Sequence, residues 1–215
     1  MGDFGCGDGG WTLAMKIDGT KVHVLQARHS MFVIWILIFW FPFSENFSLW
    51  FSLLEQQKYI QLCRRKDWVW FTSKLPTYWN TAFSKICLGM KIGHKLRFVT
   101  INKSATSLYS LIADGQYRAT SLGRNTWKKL IGPQVSLNTN CNKEGFNAIC
   151  GHTPHFKARI GITSSLPNSC VYCDSRIGFG TGGQHDDTNT CGNEATYSPD
   201  NGDKHIKTMG YILVQ

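Results

Sequence analysis

Glycine is missing from one long stretch of this chain, although it is common elsewhere. None of the 21 glycines lies within residues 22–73, whereas 13 of the 28 aromatic residues do. The stretch includes an unbroken apolar run from Met31 to Phe43 and a basic cluster from Cys63 to Lys66. The two flanks are rich in glycine, asparagine, serine and threonine. Together with their cysteines, this composition is typical of a loop-rich extracellular domain held by cross-links.

A secretory signal is absent from the sequence as well. The start, Met1-Gly-Asp-Phe-Gly-Cys6, has no positive segment followed by an apolar stretch. Eight cysteines indicate an oxidising compartment, so we expect an extracellular protein whose chain is truncated at its N-terminus. We predict disulfide bonds among seven of the cysteines without predicting their pairing. These candidates are Cys6, Cys87, Cys141, Cys150, Cys170, Cys173 and Cys191.

The cysteine spacing also permits a zinc site, which we consider the weaker interpretation. Only Cys170 and Cys173 form a Cys-x-x-Cys pair, and zinc requires four ligands. A structural site would therefore have to recruit His185 or Cys191, so disulfide bonding is favoured.

Acidic residues are few, with 14 against 23 lysines and arginines, giving a formal charge of +9. The excess charge is spread over both flanks and forms no basic stripe, which argues against a nucleic-acid partner. The net positive charge is compatible with an anionic partner of another kind. At 215 residues, the chain has the length of one domain with a sizeable core.

The apolar run is too short for an ordinary membrane span. A transmembrane helix needs about 20 apolar residues, and the run from Met31 to Phe43 has 13. Extending it over residues 33–54 places Glu45 and Asn46 near the middle, which is costly in hydrocarbon. A membrane anchor over residues 33–54 is therefore kept as an alternative to a short apolar helix or a disordered segment.

A third hypothesis for residues 22–73 comes from the codons that permit this sequence. Lys21 and Val22 allow a splice-donor sequence, and Phe43 to Glu45 allow an acceptor. Removing the intervening bases shifts the downstream frame by one. Cys63 to Trp70 then reads Ala-Gly-Gly-Lys-Thr-Gly-Phe-Gly, which restores the missing glycines. We therefore predict an aberrant insert, formed by a translated intron and an out-of-frame exon, between domain segments 1–21 and 74–215.

The flanks show alternation and helical spacing typical of an α+β domain. We predict a strand at residues 9–17, with Trp11, Leu13 and Met15 on one face. Further strands are predicted at 95–101, 107–112, 158–162 and 211–214, and helices at 76–87 and 121–131. From Asn138 onward the composition predicts mostly turns.

Two motifs give this chain a specific resemblance. Cys6-Gly-Asp-Gly-Gly-Trp-Thr-Leu13 is similar to the opening strand of fibrinogen-like domains. Ile177-Gly-Phe-Gly-Thr-Gly-Gly183, followed by Cys191 and Gly192, resembles the late glycine-rich loop of intelectins. The wider flanks look like cnidarian fibrinogen-related proteins, some of them associated with the skeletal matrix. The resemblance implies a mixed, mostly antiparallel sheet with short helices and a large loop-rich C-terminal lobe that binds calcium. It also implies a secreted, non-catalytic, homo-oligomeric protein.

Acidic and amide side chains between Asp174 and Asp203 form the candidate calcium site, because calcium takes six to eight oxygen ligands. No twelve-residue EF-hand pattern is present. By analogy with intelectins, the metal candidates are Asp174, Asp186, Asp187, Asn193 and Glu194, with Tyr172 and Tyr197 as ligand-binding aromatic residues. The alternative is a solvated acidic loop with Asx-turns. A thiol nucleophile at Cys150 with His152 is a weaker alternative.

The sequence therefore predicts a calcium-supported recognition domain that binds glycans, in immunity or adhesion. A structural protein of the extracellular or skeletal matrix, binding other matrix proteins, is the first alternative. A form anchored in the membrane through residues 33–54 is the second. An enzyme is not predicted.

Overall fold

The structure is a computed structural model that describes residues 5–7, 9–20, 73–151, 156–167, 170–183 and 186–215. Contacts divide the chain into a unit of Met1–Val22 with Phe71–Gln215 and a unit of His23–Trp70. The second unit lies outside the described residues, as do residues 22–72 of the predicted insert and the predicted anchor over 33–54. Across the described ranges, no helix has the length and apolarity needed to cross a bilayer.

The described residues form two antiparallel sheets and three short helices. The first sheet has the strand order β2-β1-β11-β3-β4. Its strands are β1 (Thr12–Asp18), β2 (Ser73–Lys74), β3 (Phe83–Ile92), β4 (Lys95–Ala105) and β11 (Met209–Val214). The final strand of the chain therefore lies between its first strand and β3, which joins the two ends of the domain.

The second sheet has the order β10-β9-β8-β7-β6-β5. Its strands are β5 (Arg118–Ala119), β6 (Asn140–Ile149), β7 (Lys157–Ser165), β8 (Ser175–Gly182), β9 (Cys191–Ala195) and β10 (Lys204–Lys207). Neighbouring strands follow one another along the chain, so this sheet is a meander. Every strand pair in the described residues is antiparallel. The coarse α+β prediction agrees with this architecture, while the fibrinogen-like or intelectin-like fold stays a prediction.

The helices are α1 (Pro76–Asn80), α2 (Leu108–Ile112) and α3 (Arg124–Ile131). Ser107 and Ser110 form a reciprocal capping box at the start of α2. The first turn of α3 begins after Gly123, which has no side chain to cap it. Glu144 of β6 fixes the segment that enters α3, because its carboxylate accepts hydrogen bonds from the backbone N–H groups of Leu122 and Gly123, at 3.1 and 2.9 Å.

One hydrophobic core lies between the sheets and α3. Ile86, Leu88 and Met90 of β3 belong to the same buried cluster as Ile177 and Phe179 of β8. The two sheets approach closely at Gly210, where an added Cβ would lie 2.5 Å from the sulfur of Cys191. Only glycine permits that approach, since real Cβ atoms do not come so near.

Several predicted elements are confirmed, namely the strands at 95–101, 158–162 and 211–214 and the helix within 121–131. The strand at 9–17 is confirmed, but the prediction that Trp11, Leu13 and Met15 share one face is wrong. A bulge between Leu13 and Met15 shifts the register. Trp11 and Leu13 consequently lie with the Cys6–Cys87 disulfide, while Met15 lies in the main core.

Three other predictions were wrong. Residues 107–112 form α2 rather than a strand, because the Ser107 capping box favours a helix there. The predicted helix at 76–87 ends at Asn80, and β3 begins at Phe83. Residues from Asn138 onward form six strands rather than mostly turns. Their small residues fit a closely spaced sheet, since Gly161 and Gly178 leave no room for a Cβ.

The disulfide prediction is confirmed for six of the seven cysteines. The pairs are Cys6–Cys87, Cys141–Cys170 and Cys150–Cys173. Cys191 is the exception, because its thiol is buried and free and lies 3.3 Å from the hydroxyl of Thr208. Burial raises the pKa of Cys191 to about 12. Both members of the Cys170-x-x-Cys173 pair are in disulfides, which leaves no thiolate there for zinc.

Candidate functional site

The predicted metal ligands cluster around β8, β9 and the loop that joins them. Arg176 of β8 is paired with Glu194 of β9, and Glu194 with His205 of β10. Paired residues on neighbouring antiparallel strands share one face of a sheet. These three side chains therefore form a row across the sheet, and the described part of the loop, Gly183 and residues 186–190, covers one end of that row.

Arg176 occupies the interior of this loop. Its side chain has no exposed surface, and its guanidinium lies 4.5 Å from the ring centre of Phe156. The guanidinium donates to the backbone carbonyl oxygens of Gly183 at 3.5 Å, Asn189 at 3.3 Å and Asp186. Desolvation lowers the pKa of Arg176 to about 10, while neighbouring carboxylates favour the charged form, so it remains a cation at neutral pH.

Glu194 is the buried carboxylate of the row. It has no exposed surface; one oxygen contacts Nδ1 of His205, and the other accepts from Nδ2 of Asn189 at 3.2 Å. The Oδ1 atom of Asn189 is buried without a hydrogen-bond partner in the described residues. An unpaired buried acceptor is costly and therefore marks a place where a donor or cation would be stabilised.

Asn193 lies on the opposite face of β9, since successive strand residues point to opposite sides. Its Nδ2 donates to the carbonyl oxygens of Ser136 and Arg176 at 2.8 and 3.0 Å, and its Oδ1 accepts from the Ser136 N–H at 2.9 Å. These bonds attach the segment after α3 to the sheet. Asn193 and Glu194 therefore do not bind the same ion in this arrangement.

Asp186 and Asp187 are the candidates at the surface of the loop. Asp186 accepts a 2.7 Å hydrogen bond from the Thr188 N–H and lies 3.4 Å from the Lys207 ammonium. Burial raises the pKa of Asp186, but the bonds from Thr188 and the charge of Lys207 outweigh it, so the net pKa is lowered. Asp187 is exposed and accepts from the Gly183 N–H.

The two tyrosine candidates lie near Asp174, where β8 begins and β9 ends. The Asp174 carbonyl oxygen accepts from the Thr196 N–H at 2.9 Å, which places Asp174 beside the residue that precedes Tyr197. Tyr172 and Tyr197 are 53% and 55% exposed. The structure therefore brings Tyr172, Asp174 and Tyr197 together, whereas Asp186 and Asp187 follow the far end of β8.

Calcium chemistry fits this set only in part. The oxygen ligands suit calcium, but the carbonyl oxygens inside the loop already bind the Arg176 guanidinium. No group of three or more histidine, cysteine, aspartate or glutamate residues in the described ranges has an arrangement suited to a metal. The predicted five-residue set does not converge on one ion here, since Asn193 lies across the sheet from Glu194. Asp186 and Asp187 remain as surface oxygen ligands.

Asp200 lies apart from the other acidic candidates, and the weaker nucleophile alternative at Cys150 is removed. Asp200 belongs to the predicted acidic cluster, yet it pairs with Arg124 and with Lys128, at 2.6 Å, on α3. Cys150 forms a disulfide with Cys173, which removes the thiol that a nucleophile would need. His152 and His185 lie outside the described residues.

Sequence reasoning missed Arg176 and His205 as parts of this site, whereas Asn189 belongs to the predicted acidic and amide cluster. Arg176 was detectable, because it is the one charged residue in the glycine- and isoleucine-rich stretch Ser175-Arg-Ile-Gly-Phe-Gly180. A charged residue in a buried strand is normally paired. No protein-family model, curated protein or solved structure matches this chain. The resemblance to fibrinogen-like domains and intelectins therefore stays a prediction.

Proposed function

We propose that this protein is a secreted recognition domain that binds glycans and catalyses no reaction. The loop after β8 carries the proposal: its interior is held by Arg176, while its surface presents the carboxylates of Asp186 and Asp187. A loop fixed from inside loses little conformational freedom when a ligand binds to its outer side. Three disulfides support an oxidising, extracellular location.

Calcium is proposed to support binding at the outer side of this loop. Asp186 and Asp187 would supply carboxylate oxygens, and water and glycan hydroxyls would complete the six to eight ligands that calcium takes. Arg176 already neutralises the interior, so the ion would contribute to ligand binding more than to loop folding. The proposal leaves Asn193 and Glu194 with structural roles and assigns Tyr172 and Tyr197 to aromatic contacts with the ligand near Asp174.

A glycan array with and without a calcium chelator tests this function. We expect binding of neutral glycans in calcium and at least a tenfold loss of signal after chelation. Absence of such binding under both conditions would overturn the glycan proposal. Specific binding to extracellular matrix proteins instead would favour the structural-matrix alternative. The homo-oligomer prediction is checked separately by sedimentation.

A matched pair of variants locates the calcium-dependent site. Asp186→Asn with Asp187→Asn removes two charges but retains oxygen acceptors for the Thr188 and Gly183 N–H groups. We expect this double variant to lose calcium-dependent binding while it stays folded, with a loss of stability on the order of 1 kcal/mol from the broken Asp186–Lys207 pair. Asp203→Asn removes an exposed carboxylate outside the loop and is the control. Equal glycan binding by the double variant and the control would contradict the assignment.

A further inference from the structure

A second exposed surface combines aromatic rings with cations, well away in sequence from the loop after β8. It is formed by Lys74 at the end of β2, Tyr78 and Trp79 of α1, Tyr109 of α2, and Arg159 of β7. We name these five residues the aromatic platform. Helices α1 and α2 pack against each other, which brings the three rings together.

The rings of the platform are held in place by Tyr78, which is buried. The Trp79 ring lies edge-on to Tyr78, with centroids 4.8 Å apart, and Tyr109 is 4.9 Å from Trp79 at a tilt of 42°. Trp79 and Tyr109 are nevertheless 37% and 45% exposed. Exposed aromatic side chains clustered on a rigid support are typical of binding surfaces rather than of ordinary protein surface.

The cations of the platform have no acidic partner among the described residues. The Lys74 ammonium lies 4.9 Å from the ring centre of Tyr78 and 5.3 Å from that of Trp79. The Arg159 guanidinium donates to neutral acceptors, the Asn147 side chain at 2.9 Å and the Ile112 carbonyl at 3.4 Å. None of the ion pairs in the described ranges involves Lys74 or Arg159.

The two cations also destabilise each other. Burial and the nearby charge of Arg159 both lower the pKa of Lys74. Two like charges without a counter-charge among the described residues attract an anion, and the chain as a whole carries +9. An anionic group bound between Lys74 and Arg159 would relieve this repulsion.

We propose that the aromatic platform binds an anionic glycan, a pyranose carrying sulfate or carboxylate groups, without calcium. The C–H face of a pyranose is flat and weakly positive, which suits the negative faces of the exposed Trp79 and Tyr109 rings. The sulfate or carboxylate groups would meet Lys74 and Arg159. An acidic peptide supplies the charge but not the flat C–H face. This site shares no residue with the calcium-supported loop and is independent of it.

Titration with a heparin-derived hexasaccharide in excess chelator tests the proposal. We expect binding to persist in chelator and to weaken on the order of tenfold in Trp79→Ala, the size of effect seen when an aromatic stacking partner is removed. Lys74→Gln with Arg159→Gln should weaken binding and reduce its salt dependence, because fewer counterions are released. These two surface substitutions keep the assay informative should Trp79→Ala unfold the domain.

Tyr117→Ala provides the matched control. Tyr117 is also an exposed ring, 42% accessible, with the Lys143 ammonium 4.6 Å from its centre, but within the described ranges it packs against no second ring. The Tyr117→Ala variant should bind the hexasaccharide as tightly as the wild-type protein does. Unchanged binding in the Lys74 and Arg159 double variant, or loss of binding in chelator, would overturn the proposal. Equally tight binding of a polyglutamate peptide at the same residues would overturn the assignment to a glycan.

Discussion

The loop after β8 and the aromatic platform both place cations beside oxygen or aromatic groups, yet their charges are balanced differently. In the loop, Arg176 is enclosed by three backbone carbonyl oxygens and faces the carboxylate of Glu194. In the platform, Lys74 feels the charge of Arg159, and neither cation has an ion pair among the described residues. The loop is therefore arranged to hold its own shape, and the platform to attract a charged partner.

The largest expected effect on stability comes from replacing Arg176, the buried cation of the loop after β8. Arg176→Met should lower the free energy of unfolding by about 3–5 kcal/mol, because it removes the buried cation beside Glu194 together with its hydrogen bonds to three loop carbonyl oxygens. Chemical denaturation measures this loss. Adding Glu194→Gln should recover part of it.

Lys207→Met is the control for this experiment. Lys207 pairs with Asp186 at the surface, so its loss should cost no more than about 1 kcal/mol. A similar small effect for Arg176→Met would show that the buried cation does not hold the loop.

Acid should lower the free energy of unfolding by a smaller amount than the loss of Arg176. The pKa of Asp186 and of Asp200 is lowered in the folded state by hydrogen bonds and nearby cations, which outweigh the opposite effect of burial. Their stabilisation is therefore complete above the unfolded pKa of about 3.9 and is lost as the pH falls through the lowered values. We expect the free energy of unfolding to fall by on the order of 1 kcal/mol for each carboxylate that is protonated.

Thermal melts between pH 6 and pH 2 measure this loss, and Asp200→Asn should flatten the profile. The platform contains no carboxylate, so its binding to a sulfated glycan should persist at pH 4, where the domain is still folded. Loss of that binding at pH 4 would indicate that an acidic residue takes part.

Chelation should have the smallest effect on stability. Since Arg176 holds the interior of the loop, removing calcium should change the free energy of unfolding by less than about 1 kcal/mol at ion concentrations near the dissociation constant. A melting curve with and without chelator measures this. A large decrease in melting temperature on chelation would mean that calcium, rather than Arg176, organises the loop.

Part of the strand framework could be predicted from the sequence, because residues 95–101 and 211–214 are rich in β-branched and aromatic residues that favour strands. The glycine-rich second sheet could not, since residues such as Gly161 and Gly178 replace hydrophobic side chains where strands approach closely. The bulge in β1 and the capping box at Ser107 depend on local backbone geometry that alternation does not reveal.

The predicted acidic and amide residues lie around β8 and β9, but how they are organised there was not predicted. Acidic and amide residues pointed to the segment from Asp174 to Asp203. Their sorting onto two faces of β9, and the insertion of Arg176 among the loop carbonyl oxygens, follow from strand pairing that was not predicted. The platform was missed because its residues come from four elements far apart in the chain.

Hydrogen–deuterium exchange on the two complexes tests the central claim most directly. With a neutral glycan in calcium, we expect protection at residues 186–190. With a heparin-derived hexasaccharide in chelator, we expect protection at residues 73–80 and 106–112 and none at 186–190. One common footprint for both ligands, or protection at neither surface, would contradict the account of a closed loop and a separate open platform.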